Sequence, residues 1–402
     1  MVKKEYKETE IGTLPVDWEV IDFEDCFELL PNNTLSRAEL NYDFGEVRNV
    51  HYGDILVEIP SILDCSEYEL PFVNTNNIIK NPRSFLKNGD IIIADTAEDE
   101  TVGKATEVYK IETKKVVSGL HTIACRPRVE FEPKWLGYFI NHRIYHDQLL
   151  PYITGTKVSA ISKGSIKLTK VVKPLPEEQT AIVEAVDDIN QLINSLERLI
   201  RKKKAIKKGV MQELLTGNKR LPEFSGEWVD KKLKDVYTVL TTGKLDANAM
   251  SETGIYRFYT CAKSYYFIDS YAFDDEALLI SGNGENVGYI HYYKGKFNAY
   301  QRTYILMGFT EDIFYIKYYL EKYLPERIEK EVHAGGTPYI KKDTISEMTI
   351  KLPSTIEEQK AISQILLNMD VEIELLQEKL NKYQKIKQGM LDELLTGKTR
   401  LI

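Results

Sequence analysis

Glu213-Leu214-Leu215-Thr216-Gly217 returns as Glu393-Leu394-Leu395-Thr396-Gly397, and Glu177-Glu178-Gln179 returns as Glu357-Glu358-Gln359. The displacement is the same for both, since 393 − 213 = 180 and 357 − 177 = 180. No insertion is needed between these anchors, and about 18 of roughly 45 aligned positions are identical. Two independent segments do not hold register that long by chance. The chain therefore carries an internal duplication.

The repeated stretch reads as a long helix. Pro174 and Pro176, or Pro353 in the second copy, end the preceding strand. Two glutamates then fill the first turn, where the helix macrodipole favours negative charge. The apolar seam of copy one is Ile182, Val186, Ile189, Ile193, Leu196 and Ile200, resuming at Val210 and Leu214. In copy two it is Ile362, Leu366, Met369, Ile373, Leu376, Leu380 and Tyr383, resuming at Met390 and Leu394. Steps of three and four are coiled-coil spacing, and both copies break the seam in their third quarter, at Lys203/Lys207 and at Lys387. Gly217 and Gly397 stand where a glycine C-cap belongs. Some 38 residues at ~1.5 Å each make a rod of roughly 57 Å. One such helix cannot bury its own stripe. The spacing predicts that the two copies pack together as an antiparallel coiled coil with a module at each end. Unrelated helices, each packed on its own module, would leave the equal lengths and the matched defect unexplained.

Working outward, the boundaries fall at 1–172 for a first module, 173–221 for the first long helix, 222–352 for a second module and 353–402 for the second helix. Both modules mix strands and helices. Strand-like runs include Asp90–Ala94, Thr122–Cys125, Ala277–Ile280 and Tyr304–Met307, and aromatic helical stretches lie at Lys134–Ile140 and Tyr315–Leu320. The modules even begin alike, with a glycine/proline turn leading to Trp18 or Trp228. The expected class is α+β: two globular α/β domains joined by two long helices, with a pseudo-twofold internal repeat.

At 402 residues, with 43% hydrophobic and 28% charged residues, the chain fits two to four globular units. No apolar run approaches the ~20 residues of a membrane span, and the first residues lack a signal-peptide core. The four cysteines, Cys26, Cys65, Cys125 and Cys261, form no CxxC pair, so neither a zinc site nor a disulfide framework is expected, and a cytoplasmic setting is. The formal charge of −8, from 53 basic and 61 acidic residues, disfavours a protein that coats nucleic acid non-specifically. It does not exclude a local basic site.

Catalytic motifs are missing. There is no GxxxxGK[ST] loop, and Gly282-Asn283-Gly284-Glu285-Asn286-Val287-Gly288 has the wrong glycine spacing for a dinucleotide fingerprint and leads into a strand. It reads as a polar turn between strands. His142 and His146 have metal-ligand spacing but no third ligand, so they read as a packed or surface pair. No catalytic residue, metal or cofactor is assigned to the chain itself. What remains is a set of polar turns suited to DNA. In the second module these are Asn283 and Asn286, Gln301-Arg302-Thr303, and Thr337, Lys341 and Lys342; in the first, Thr96 with Lys104, then Thr156, Lys157 and Lys163. Asn and Gln bond adenine bidentately and Arg bonds guanine, while glycine loops and lysines suit phosphate. Ordinary solvated turns are the alternative for any single residue. The run Arg201-Lys202-Lys203-Lys204, with Lys207 and Lys208, is expected to pair with acidic Glu372, Glu374 and Glu378 on the other helix, or else with phosphate.

These features together resemble the specificity subunit of a type I restriction–modification system. The resemblance spans the chain and is carried by Leu175-Pro176-Glu177-Glu178-Gln179, Ile356-Glu357-Glu358-Gln359 and the twin Glu-Leu-Leu-Thr-Gly ends. Gly12-Thr13-Leu14-Pro15-Val16-Asp17-Trp18 and Gly282–Gly288 with Gly295-Lys296-Phe297-Asn298-Ala299 add to it. It implies that 1–172 and 222–352 are target recognition domains, each reading half of a split site in double-stranded DNA, with the helices setting the half-site spacing. It also implies a non-catalytic subunit. Two modification (methyltransferase) subunits would bring S-adenosylmethionine, and restriction/translocase subunits would bring ATP and magnesium. The competing readings are a coiled-coil scaffold displaying two protein-binding domains without DNA binding, and a self-sufficient nuclease or methyltransferase.

Overall fold

The computed structural model describes residues 5–74, 76, 79–155, 157–331 and 338–401. Four helices organise it: α1 (Trp135–Ile140), α2 (Pro176–Leu214), α3 (Ile313–Glu331) and α4 (Ile356–Leu394). The chain divides into two compact units, residues 1–195 with 380–402, and residues 196–379. Each unit therefore combines one module with the beginning of one long helix and the end of the other.

In the first unit, Ile91-Ile92-Ile93-Ala94 is apolar without alternation, the pattern of a strand covered on both faces. It is the central strand of a five-stranded sheet. With β1 (Phe27–Leu30), β2 (Ile62–Asp64), β3 (Ile91–Ala94), β4 (Ala105–Tyr109) and β5 (Thr122–Pro127), the order is β1-β5-β3-β4-β2. All neighbours are antiparallel except β4 and β2, which run parallel with Glu107 opposite Ile62. Ile91 and Ile93 join a core with Trp135 and Phe139 of α1. Ile92 and Ala94 point the other way, into a core with Val50 and Val116 from a smaller four-stranded sheet. Glu107 secures α1 by accepting the backbone N–H groups of Lys134 and Gly137, at 2.6 and 2.8 Å. Burial pushes this carboxyl up to about 7, against the pull of those two donors.

The second unit holds a six-stranded sheet. With β6 (Tyr237–Thr242), β7 (Tyr256–Tyr259), β8 (Tyr266–Ile268), β9 (Phe273–Ser281), β10 (Ile290–Ala299) and β11 (Thr303–Phe309), its order is β6-β11-β9-β10-β7-β8. Alternation assigns the faces. Leu278, Ile280, Ile290 and Leu306 share a core with Ile316, Leu320 and Leu324 of α3. Ala277, Leu279, Phe297 and Ile305 lie on the opposite face with Tyr259.

The long helices match residue for residue: both have 39 residues, and 356 − 176 = 394 − 214 = 180. Pro176 is the first residue of α2, a position whose N–H has no helical partner to lose. The predicted seam of α2, from Ile182 to Ile200, is buried throughout. In α4, Ile362, Leu366 and Leu380 are buried, while Met369, Ile373 and Leu376 are half-buried. Pairing within each unit is antiparallel. In the second unit Lys203 bonds Glu372 at 2.6 Å and Lys207 bonds Asp370 at 2.5 Å, one number rising as the other falls. So two members of the basic run pair between helices, and Arg201, Lys202, Lys204 and Lys208 stay exposed. In the first unit Ile182, Val183 and Val186 share a core with Leu394 and Leu395; in the second, Ile362 and Leu366 do so with Leu214 and Leu215.

The duplicated motifs are explained by a junction made twice. Arg400 grips buried Glu178 through Nε and a terminal nitrogen at 2.6 and 2.8 Å, and Arg220 grips buried Glu358 in the same way at 2.7 Å each. These are equivalent pairs, since 400 − 220 = 358 − 178 = 180. Trp18 and Trp228 lie under the two guanidinium groups, each 5.8 Å from the ring centre. Trp18 also donates its indole N–H to Glu178 at 2.7 Å, whereas the buried Trp228 indole nitrogen has no partner among the described residues. The helix ends turn toward the tryptophans at Gly217 and Gly397, with φ of +76° and +69°. A Cβ at Gly397 would come within 2.4 Å of Pro15, so glycine is required there on both counts. Gln179 and Gln359 complete the junctions by accepting the backbone N–H of Glu132 and of Asp312, both at 2.9 Å.

Candidate nucleic-acid interface

In the second module, the loops at one end of the six-stranded sheet converge. β9 leaves the sheet at Ser281 into the polar turn, and the bend at 300–302 joins β10 to β11. Gly282 donates its N–H to the Arg302 carbonyl at 2.9 Å, and a Cβ at Gly282 would stand 2.2 Å from that same oxygen. Only glycine lets the two turns meet so closely. The segment before the second long helix closes the cluster: Gly284 donates to the Pro338 carbonyl and Ile340 to the Gly282 carbonyl, both at 2.9 Å. The loop after β7 enters from the other side. There Asn286 donates to the Cys261 carbonyl at 3.2 Å, and His291 Nε2 bonds the Ala262 carbonyl at 2.9 Å. Burial pulls the His291 imidazole below its ordinary pKa, which keeps it neutral with Nε2 as the donor.

Asn283, Asn286, Gln301, Arg302 and Lys341 are thus brought together, with Lys342 next along the chain. Arg302, Lys341 and Lys342 are exposed, and their side chains have no partner among the described residues. Gln301 is committed in part, donating to Asp246 at 2.7 Å. Thr337 lies outside the described residues. Cys261 belongs to the cluster although nothing in its local sequence marked it.

The first module offers a comparable end. Thr96 follows β3 and contacts Asp95 at 2.8 Å and His121 at 3.4 Å. Lys163 donates to Asn32 at 3.3 Å, and Asn32 in turn to the Gly119 carbonyl at 3.3 Å. Lys157 is exposed in the loop before them, and Thr156 lies outside the described residues. Lys104 is turned elsewhere: its ammonium donates to the Leu56 carbonyl at 2.9 Å, and burial lowers its pKa. His142 and His146 bind no common centre. His142 bonds Asp392 and His146 the Val102 carbonyl, both at 2.9 Å. Among the described residues no group of three or more His, Cys, Asp or Glu side chains is placed to hold a metal ion.

The second-module end therefore presents amide, guanidinium and ammonium groups, and the first-module end hydroxyl, amide and ammonium groups, all of kinds that can contact base edges or phosphate. Residues 225–385 match the sequence profile described as "Type I restriction modification DNA specificity domain", and the loop cluster of the second module falls inside that span. Residues 225–385 thus carry a type I restriction–modification DNA specificity domain, and the chain as a whole is similar to type I specificity subunits. It is similar to the type I restriction enzyme EcoDI specificity subunit of Escherichia coli, 37% identical over 157 residues, a match covering 39% of this chain and 34% of that protein. Similarity to the MjaX specificity subunit of Methanocaldococcus jannaschii is lower, at 24%, but runs over 99% of this chain and 97% of that one. The S subunit structure from M. genitalium shares the fold, with a TM-score of 0.61 over 94% of this chain and 96% of that chain at 14% identity. The matches support a DNA-recognition component and not the catalyst of such a system. No helix among the described residues is long and apolar enough to cross a membrane.

Proposed function

We propose that this chain is a specificity subunit that reads a bipartite site in double-stranded DNA, one half through each module, and carries two modification subunits. The observation behind this reading is that two unlike clusters of polar loops accompany one repeated helix-and-clasp device. The repeat supplies equivalent docking surfaces for two copies of one partner, while the differing loops supply an asymmetric target. In this reading, first-module contacts come from Thr96, Lys157 and Lys163, and second-module contacts from Asn283, Asn286, Gln301, Arg302, Lys341 and Lys342; Thr156 and Thr337 are candidates on sequence grounds alone. The modules act as target recognition domains over about 1–172 and 222–352. S-adenosylmethionine belongs to the modification subunits, ATP and magnesium to the restriction/translocase subunits, and the assembly works in the cytoplasm on the cell's own DNA.

The helices would act as the spacer. Adding one heptad after Leu199 and one after Lys379, equivalent positions since 379 − 199 = 180, preserves the seam and lengthens each helix by ~10 Å, about three base pairs of rise. Methylation mapping of cells carrying the assembled system is expected to show both half-sequences unchanged and the spacer longer by about that amount. An unchanged spacer would remove the helices from any measuring role.

A further inference from the structure

We propose that Cys261 is a positioning residue for recognition of the half-site read by the second module. This rests on the reading of that loop cluster as a DNA-facing surface. Among the four cysteines, Cys26, Cys65 and Cys125 are buried, and burial pushes their thiols up, to about 12 for Cys26 and about 11 for Cys65. These three are packing residues. Cys261 is half-buried and touches three of the six second-module residues named above, Asn283, Asn286 and Arg302. Its Sγ lies 3.1 Å from Asn283 Oδ1 and 3.6 Å from the Arg302 carbonyl, and its own carbonyl accepts the Asn286 amide at 3.2 Å. The loop is fixed from behind by His291 on the Ala262 carbonyl and by the Ala262 N–H on Thr260 Oγ1, at 3.2 Å.

The consequence is chemical. A carboxamide reads adenine by accepting from N6 and donating to N7, so its two ends are not interchangeable. Asn283 alone could present either end. With its one proton on the nearer acceptor, Asn283 Oδ1 at 3.1 Å, the thiol favours oxygen at that end, since the flipped amide would have to donate to sulfur, a weak acceptor. The S–H bond is weak, but it need only choose between two flips of one amide. The same sulfur also sits between the Asn283 turn and the Arg302 turn, so it ties the amide to the backbone from which the Arg302 side chain springs.

The test uses the whole chain assembled with its modification subunits. Cys261→Ala, Cys261→Ser and Asn283→Ala are compared by methylation mapping of cells, then by competition binding between the mapped site and single-mismatch duplexes. Thermal unfolding of each purified chain is followed in parallel. For C261A we expect at least ~5-fold lower discrimination at one or two positions of a single half-site, the lower end for one base contact, with the other half-site and the melting temperature unchanged. C261S keeps a donor at the same place and should restore most of the lost discrimination. If C261A matches the wild type while N283A relaxes the half-site, Cys261 has no positioning role but the cluster still reads DNA. If N283A and C261A both match the wild type, the DNA-facing assignment of the cluster fails. If C261S is as relaxed as C261A, or if C261A lowers the melting temperature and affects both half-sites together, the residue is structural and the proposal is overturned.

Discussion

Replacing Arg400 with alanine is expected to lower the stability of the first unit by about 3–5 kcal/mol, the cost of leaving a buried charge without its partner. Glu178 is fully buried at the start of α2, and Arg400 supplies two of its hydrogen bonds. The Trp18 indole supplies the third, and Asp17 binds the same guanidinium at 2.8 Å. Removing Arg400 leaves one indole N–H to satisfy the Glu178 carboxylate. It also frees the end of α4 from Trp18, since the clasp joins residues 222 positions apart. Denaturant unfolding followed by tryptophan fluorescence measures the loss. Adding Glu178→Gln to the alanine variant removes the stranded charge and should recover part of it. A single-variant loss below ~1 kcal/mol, the range of an exposed ion pair, would mean that the clasp does not anchor the helix.

Arg302→Ala is expected to weaken binding of the assembled complex to its own target by ~1–3 kcal/mol, roughly 5- to 150-fold, and to relax one position in one half-site. The guanidinium is exposed at the bend between β10 and β11, while its backbone carbonyl is held by Gly282 and Cys261. A group fixed at its root and free at its tip suits direct base reading. Because the side chain is exposed and has no hydrogen-bond or ion-pair partner among the described residues, folding stability should change by no more than ~0.5 kcal/mol. Equal weakening on cognate and random duplexes would instead make Arg302 a phosphate contact.

The repeat was legible because helical phase is a local property: Ile182 to Ile200 declare their face by spacing alone, and they are buried. The run Asp90–Ala94 was legible as a strand because its composition is local too, while the burial of both its faces came only with the structure. Sheet order was not, because pairings such as Glu107 with Ile62 join distant segments through shape and not through pattern. The clasp could have been read, since Arg220-Leu221 and Arg400-Leu401 extend the duplicated motif past its glycines. At the candidate site, Asn283, Asn286 and Arg302 announced themselves by composition. Cys261 did not, because its contacts reach residues 22 and 41 positions away. Lys104 looked like its neighbours in sequence, yet its ammonium reaches back to Leu56, in the helix Tyr52–Val57.

The most direct measurement of the central claim is long-read methylation mapping of a strain whose only specificity subunit has residues 229–352 exchanged for those of a relative with a different target. Both junctions then stay intact, from Trp228 backward and from Pro353 onward. The account predicts a methylated motif in which one half-sequence is replaced, the other is unchanged and the spacer is kept. A motif changed in both halves, or left unchanged in both, would contradict it.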